Sequence, residues 1–167
     1  MLAEVSVIIF SVKREWEICP FCKPDKKRIV YEGDYSFALL DLYPVSRGHT
    51  LVIPKRHVES IDELEDIEWM DIVRTLKIIK RGLEDLLKPD GFNIGFNLGE
   101  AAGQSIPHIH IHIIPRYAGD TRFPLGGIRR VVFDIRDDIL HLKKRCEENR
   151  LTEDEIEFFK EKLFDNE

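Results

Sequence analysis

Apolar residues recur at helical spacing between Ile61 and Leu87: Ile61, Leu64, Ile67, Met70, Ile72, Val73, Leu76, Ile79, Leu83, Leu86 and Leu87. This is the pattern of a helix with one buried face. Ser60 and Glu63 precede it in Ser-x-x-Glu spacing, so the helix is expected to start there. Lys88-Pro89-Asp90-Gly91 stops it. Elsewhere the elements are short. "IVYEGDYSFALLDLYPVSRGHTLVIPKRH" predicts three strands, punctuated by Gly33-Asp34 and Ser46-Arg47-Gly48. "FNIGFNLG" and "HIHIHIIPR" predict two more. Thr152 with Glu155 repeats the capping-box spacing and predicts a short C-terminal helix. The opening "EVSVIIFSV" fits an edge strand or a short helix equally.

These short connections predict an α+β chain: a mainly antiparallel sheet of about five strands, one long helix and a C-terminal helical segment. With 167 residues and no repeat or linker, the simplest organisation is one domain over 1–167. The 43% hydrophobic share is enough for an ordinary core. Net charge is −6, from 31 acidic and 25 basic residues, which argues against nucleic acid as a partner. It leaves room for a small anionic ligand, which needs only local donors. No stretch reaches the ~18–20 apolar residues of a membrane span. Glu4 stands where a signal peptide would carry basic residues. The expected location is therefore the cytoplasm, with the three cysteines reduced and no structural disulfide.

The stretch "GQSIPHIHIHIIPR", Gly103 to Arg116, holds three of the six histidines at alternate positions. On a strand, His108, His110 and His112 share one face, while Ile109, Ile111 and Ile113 share the other and are expected to bury against a helix. A polar stripe facing solvent is the plainest reading, but Thr, Lys or Glu would serve it equally well. A cage of all three on one metal is hampered by geometry. Neighbouring members sit ~6.5–7 Å apart along a strand, too far for all to reach one ion through bonds of ~2.0–2.1 Å. A nucleophilic imidazole flanked by helpers is the third reading. A neutral imidazole attacks phosphorus well, and the charge that develops needs donors nearby. His112 and the Gly103-Gln104-Ser105 segment supply candidates.

"HIHIHII" resembles the His-φ-His-φ-His-φ-φ signature of the histidine-triad (HIT) superfamily of nucleotide hydrolases and transferases. The likeness continues upstream through "DLYPVSRGHTLVIPKRHV" and "NIGFNLGEAAGQSIP", so a motif-bearing core spans roughly 19–116 and an extension 117–167. "PRYAGD" and "EAAGQ" look more like the fragile-histidine-triad, dinucleoside-polyphosphate branch than the purine-phosphoramidase branch. The resemblance implies a HIT-like fold and a nucleotide substrate attacked at its α-phosphate. His110 is then the nucleophile, forming a covalent nucleotidyl-histidine. His112 contacts the transferring phosphate and the leaving oxygen, and Ser105 binds phosphate or protonates the leaving group. Asn97, Gly103 and Gln104 match phosphate-contacting positions, and Asp41 matches the acceptor of the ribose hydroxyls. His49 matches a position near the site. The family is usually dimeric, so a homodimer is expected. A hydrolase of diadenosine polyphosphates leads. A nucleotidyltransferase or phosphorylase using phosphate or a sugar phosphate as acceptor is the alternative, and a non-catalytic nucleotide-binding module is a third.

Cys19-Pro20-Phe21-Cys22 reads as a redox pair, a metal knuckle or two small buried residues. No βαβ pattern surrounds it as redox chemistry would want. A knuckle needs two more ligands. Cys146 lies among charges in a helical stretch, whereas His57 and His108 are better placed. Two cysteines and two histidines suit a closed, structural Zn²⁺ site. Some members of the resembled family carry this set.

Overall fold

The computed structural model describes residues 19–122 and 147–164. The opening "EVSVIIFSV" and Cys146 lie outside these residues.

Five strands form one antiparallel sheet: β1 (Ile29–Glu32), β2 (Ser36–Leu40), β3 (Thr50–Pro54), β4 (Gly91–Gly95) and β5 (Ile111–Arg116), in the order β1-β2-β3-β5-β4. β2 and β3 are buried at every position. The reason is that both faces of the sheet are covered. Val30, Ala38, Leu40, Val52, Ile111 and Ile113 pack beneath two helices, α1 (Asp66–Leu87) and α2 (Glu153–Phe164). On the opposite face, Phe37, Leu39, Leu51 and Ile53 pack under Phe21 of the Cys19–Cys22 turn. That second face carries the chemistry.

The expected helix start is two-stepped in the structure. Ser60 and Glu63 do form a capping box, but it closes a single 3₁₀ turn, Ile61–Glu63. Leu64 and Glu65 are extended, and α1 begins at Asp66 behind a second box between Glu65 and Glu68. Glu68 is pulled into this role by Arg56, whose guanidinium grips its carboxylate through Nε (2.9 Å) and Nη2 (2.6 Å) and also donates to Glu63 O (2.6 Å). The hydrogen bond from Arg56 is the main reason the Glu68 carboxyl sits below its usual pKa. The chain break thereby ties the segment after β3 to the helix. It also turns Ile67 and Met70, expected on the buried face, outward. The second capping box is found as expected: Thr152 N–H donates to Glu155 Oε2 (2.9 Å) and Glu155 N–H to Thr152 Oγ1 (3.3 Å).

Two glycines set the packing. Gly82 lets α2 approach α1, since a Cβ there would lie 2.5 Å from Leu163 and 2.6 Å from Phe159. Gly48 has φ +84°, and a Cβ would meet Leu87 at 2.5 Å. It closes the β2–β3 loop, which holds Asp41 at one end and His49 at the other.

Candidate functional site

The site is built on one face of β5, β3 and β2, and the hydrogen-bond partners of its histidines settle the proton on each ring. A carbonyl can only accept and a backbone N–H can only donate. His108 lies within 3.0 Å of Pro54 O through Nε2, so Nε2 carries the proton and Nδ1 keeps its lone pair. His110 shows the reverse. Its Nδ1 lies 2.8 Å from His108 O and must donate, which leaves the lone pair on Nε2. His49 Nδ1 accepts from Val45 N–H at 3.3 Å, so its Nε2–H points to His112 Nδ1 at 2.9 Å. His112 is therefore protonated on Nε2 and presents a donor beside the His110 ring, with centroids 5.1 Å apart. Lone pair and donor stand side by side.

Burial disfavours the charged forms of His112 and His49. Desolvation, then the neighbouring His49 and His110, push His112 down to about 4. Desolvation also lowers His49, partly opposed by Asp41, whose Oδ2 lies 3.5 Å from His49 Nε2. Asp41 Oδ1 accepts from Tyr43 N–H at 2.8 Å, which fixes the carboxylate at the mouth of the β2–β3 loop.

His108 turns its lone pair away from this row. Its Nδ1 lies 3.4 Å from Cys19 Sγ and 3.8 Å from Cys22 Sγ, and His57 Nδ1 lies 3.3 Å from Cys22 Sγ. The four ligand atoms all fall within 4.8 Å of one another. A tetrahedral ion with bonds of ~2.0–2.3 Å separates its ligands by roughly 3.3–3.8 Å. Cys19, Cys22, His57 and His108 thus fit a closed four-coordinate metal site, with Pro54 O orienting the His108 ring in the manner of an outer-shell partner. Asp41, His49 and His112 also cluster. There the His49–His112 separation of 2.9 Å is a hydrogen bond, tighter than the ~3.3 Å between two nitrogens on one ion.

The remaining expected residues sit on the 97–105 loop. Gly103 has φ +87° and is exposed, as is Ser105. Asn97 Nδ2 approaches Gly103 O at 3.5 Å. The side-chain amide of Gln104 is engaged within the protein. Its Oε1 accepts from Gly99 N–H (2.7 Å) and its Nε2 donates to Glu59 O (2.9 Å), so its amide ties the loop to the segment after β3. Sequence reasoning missed Phe21. Its ring packs edge-on against both His108 (5.9 Å) and His110 (5.1 Å), bridging the metal site and the row of histidines. Its place between the two cysteines was the available signal.

A HIT domain model matches residues 23–119, more than half of the chain. The chain belongs to the HIT family. An uncharacterized HIT-like protein of Methanocaldococcus jannaschii is 44% identical over 124 residues, covering 70% of this chain and 94% of that one. An AP-4-A phosphorylase of Mycobacterium tuberculosis is 34% identical over 121 residues (71% of this chain, 62% of that one). A bis(5'-adenosyl)-triphosphatase of Saccharomyces cerevisiae is 39% identical over 92 residues (54% and 45%). The chain therefore spans less than two thirds of either of these enzymes. Among solved structures, a Zn-bound histidine triad family protein from Mycobacterium smegmatis superimposes with a TM-score of 0.63 at 27% identity, over 89% of this chain and 94% of that one. Among the described residues, no helix is long and apolar enough to cross a membrane.

Proposed function

We propose that this HIT protein is a nucleotide hydrolase acting on the α-phosphate of a dinucleoside polyphosphate through a covalent nucleotidyl-His110. The observation that carries the reading is the proton arrangement. His110 Nε2 holds a lone pair because Nδ1 donates to His108 O, and the His112 ring, its proton on Nε2, packs edge-on against the His110 ring at 5.1 Å. In the first step Nε2 bonds to phosphorus, and the P–O bond to the leaving polyphosphate breaks. His112 Nε2–H stabilises the developing charge, and Ser105 or His112 supplies the leaving oxygen with a proton. Water then cleaves the P–N bond and releases the mononucleotide. Asp41, with Oδ1 held by Tyr43 N–H, accepts the ribose hydroxyls. Asn97, Gly103 and Ser105 contact phosphate, while Gln104 holds the loop that presents them. Cys19, Cys22, His57 and His108 hold a structural Zn²⁺, which fixes the start of the strand; the Zn-bound neighbour supports this choice of metal. A homodimer forms through the β4 edge of the sheet, where Ile94 is exposed.

The relatives support two acceptors. One is named a phosphorylase and one a triphosphatase, so inorganic phosphate is the second acceptor to test. Rapid quenching with α-labelled diadenosine polyphosphate, with and without phosphate, decides both points. An acid-labile label on the protein, absent in His110→Asn, is expected, with mononucleotide released in water alone. Phosphate-dependent release of a nucleoside diphosphate would shift the reading to a phosphorylase. Turnover in His110→Asn would end it.

A further inference from the structure

A cavity of about 260 Å³ lies beneath the β2–β3 loop, against the N-terminal end of α2. Its wall includes Asp41 and His49 but neither His110 nor His112. Two arginines from distant parts of the chain enter it: Arg28, just before β1, and Arg150, just before α2. Arg28 Nη1 donates to Leu40 O at 2.9 Å, which uses one of the five N–H groups of a guanidinium. Among the described residues no carboxylate forms an ion pair with Arg28 or Arg150. Arg47, in the β2–β3 loop, is engaged with Glu155. Leu40, Leu151 and Ile156 form an apolar wall around the two cations.

Two guanidinium groups that line one recess without a carboxylate partner attract an oxyanion, because each fork matches two oxygens of phosphate. The apolar wall lowers the local dielectric and strengthens the attraction. Among the described residues the one carboxylate in the wall is Asp41, which the two arginines outweigh. The volume far exceeds the ~10–15 Å³ that one water needs, leaving room for a tetrahedral anion and part of what carries it.

We infer that this cavity is a second anion site, for a phosphate-class oxyanion held between Arg28 and Arg150 and reaching the nucleotide site through Asp41. It rests on the nucleotide reading only in the placement of ribose at Asp41. The oxyanion has two sources, free inorganic phosphate or a phosphate on the ribose of the bound nucleotide. Calorimetric titration of the full chain separates them, using inorganic phosphate, AMP and adenosine 2',5'- and 3',5'-bisphosphate as probes. The variants are Arg150→Gln, which alters an exposed side chain, and Arg28→Gln. Phosphate affinity is expected to fall at least tenfold in each variant while AMP affinity stays unchanged; this supports the site with free phosphate as its source. A bisphosphate that binds at least tenfold tighter than AMP, with the gain lost in both variants, supports the ribose-borne source. If neither phosphate nor bisphosphate binding responds to either substitution, the site does not exist. If AMP fails to bind wild type while phosphate binding still depends on both arginines, the nucleotide reading fails and the anion site stands.

Discussion

His49 gives the most direct test of how the site works. Its proposed task is to hold His112 in the Nε2–H form by donating to Nδ1 at 2.9 Å, while its own Nδ1 accepts from Val45 N–H. His49→Phe keeps the ring volume and removes both bonds. A neutral hydrogen bond contributes about 0.5–1.5 kcal/mol net, and a buried acceptor left unpaired costs about 1–3 kcal/mol. Taking about 1.4 kcal/mol as the bias on the His112 tautomer, its loss lowers the ratio of Nε2–H to Nδ1–H by roughly tenfold. Complete loss of a donor aimed at developing charge costs roughly 10² to 10³ in kcat. The expected fall in kcat therefore runs from just over twofold, if only the tautomer ratio shifts, to about 10³-fold, if the donor is lost altogether, with KM much less affected, because the ground state needs the donor least. His49→Gln offers an amide donor and a carbonyl acceptor and is expected to recover much of the loss. Nitrogen-15 NMR of the histidine rings reads the tautomer directly and does not depend on knowing the substrate. If His49→Phe leaves His112 protonated on Nε2 and kcat within twofold of wild type, the relay is not what orients His112.

Removing the metal is expected to destabilise the fold and disturb the nucleophile together. Even a third of the ~10 kcal/mol that a structural zinc supplies corresponds to a fall in Tm of roughly 7–13 °C for a chain of this size. Metal analysis should give one zinc per chain in wild type and none in the Cys19→Ser/Cys22→Ser variant; unchanged melting after zinc loss would count against a structural site. Acid should also weaken the zinc-loaded protein through His112. Its folded pKa, about 4, lies below the ordinary 6.5, so protonation favours the unfolded chain and stability is lost as pH falls from about 6.5 towards 4. Between pH 7 and 5.5 this amounts to about 1.2 kcal/mol. Denaturant titrations of wild type and His112→Asn should differ by that slope, and parallel pH dependence in the two would refute it.

Residue type and spacing made most of the frame readable. All five strands, the long helix and the Thr152 cap lie where periodicity and turn residues place them. What escaped was context. Ser60 and Glu63 form the right motif but cap only one turn, because Arg56 holds Glu68 and a second box restarts the helix. No local pattern encodes a guanidinium ten residues upstream choosing between two starts. Gln104 illustrates the same limit within the site. Its place between Gly103 and Ser105 does not reveal that Gly99 and Glu59 occupy both ends of its side-chain amide. That Cys19, Cys22, His57 and His108 would come together was foreseeable, because metal geometry limits the choice of partners for a Cys-x-x-Cys turn. The tautomer of each ring was not, because it depends on which carbonyl or N–H the fold brings alongside.

Those partners explain how two neighbouring histidines in the segment leading into β5 can be suited to opposite jobs. His108 and His110 have the same side chain, the same backbone direction and a separation of two residues. Their difference lies in which nitrogen finds a carbonyl. Pro54 O claims Nε2 of His108, which leaves Nδ1 for the sulfurs; His108 O claims Nδ1 of His110, which leaves Nε2 for the substrate face. His108 is therefore engaged twice. Its ring turns to the metal-ligand cluster, and its carbonyl fixes the proton on the neighbour. Phe21 reinforces the link by packing on both rings from between the two cysteines. In the proposed mechanism, a metal held by His108 would lie one carbonyl away from the nucleophile without touching substrate, and would act on the chemistry by holding that carbonyl still.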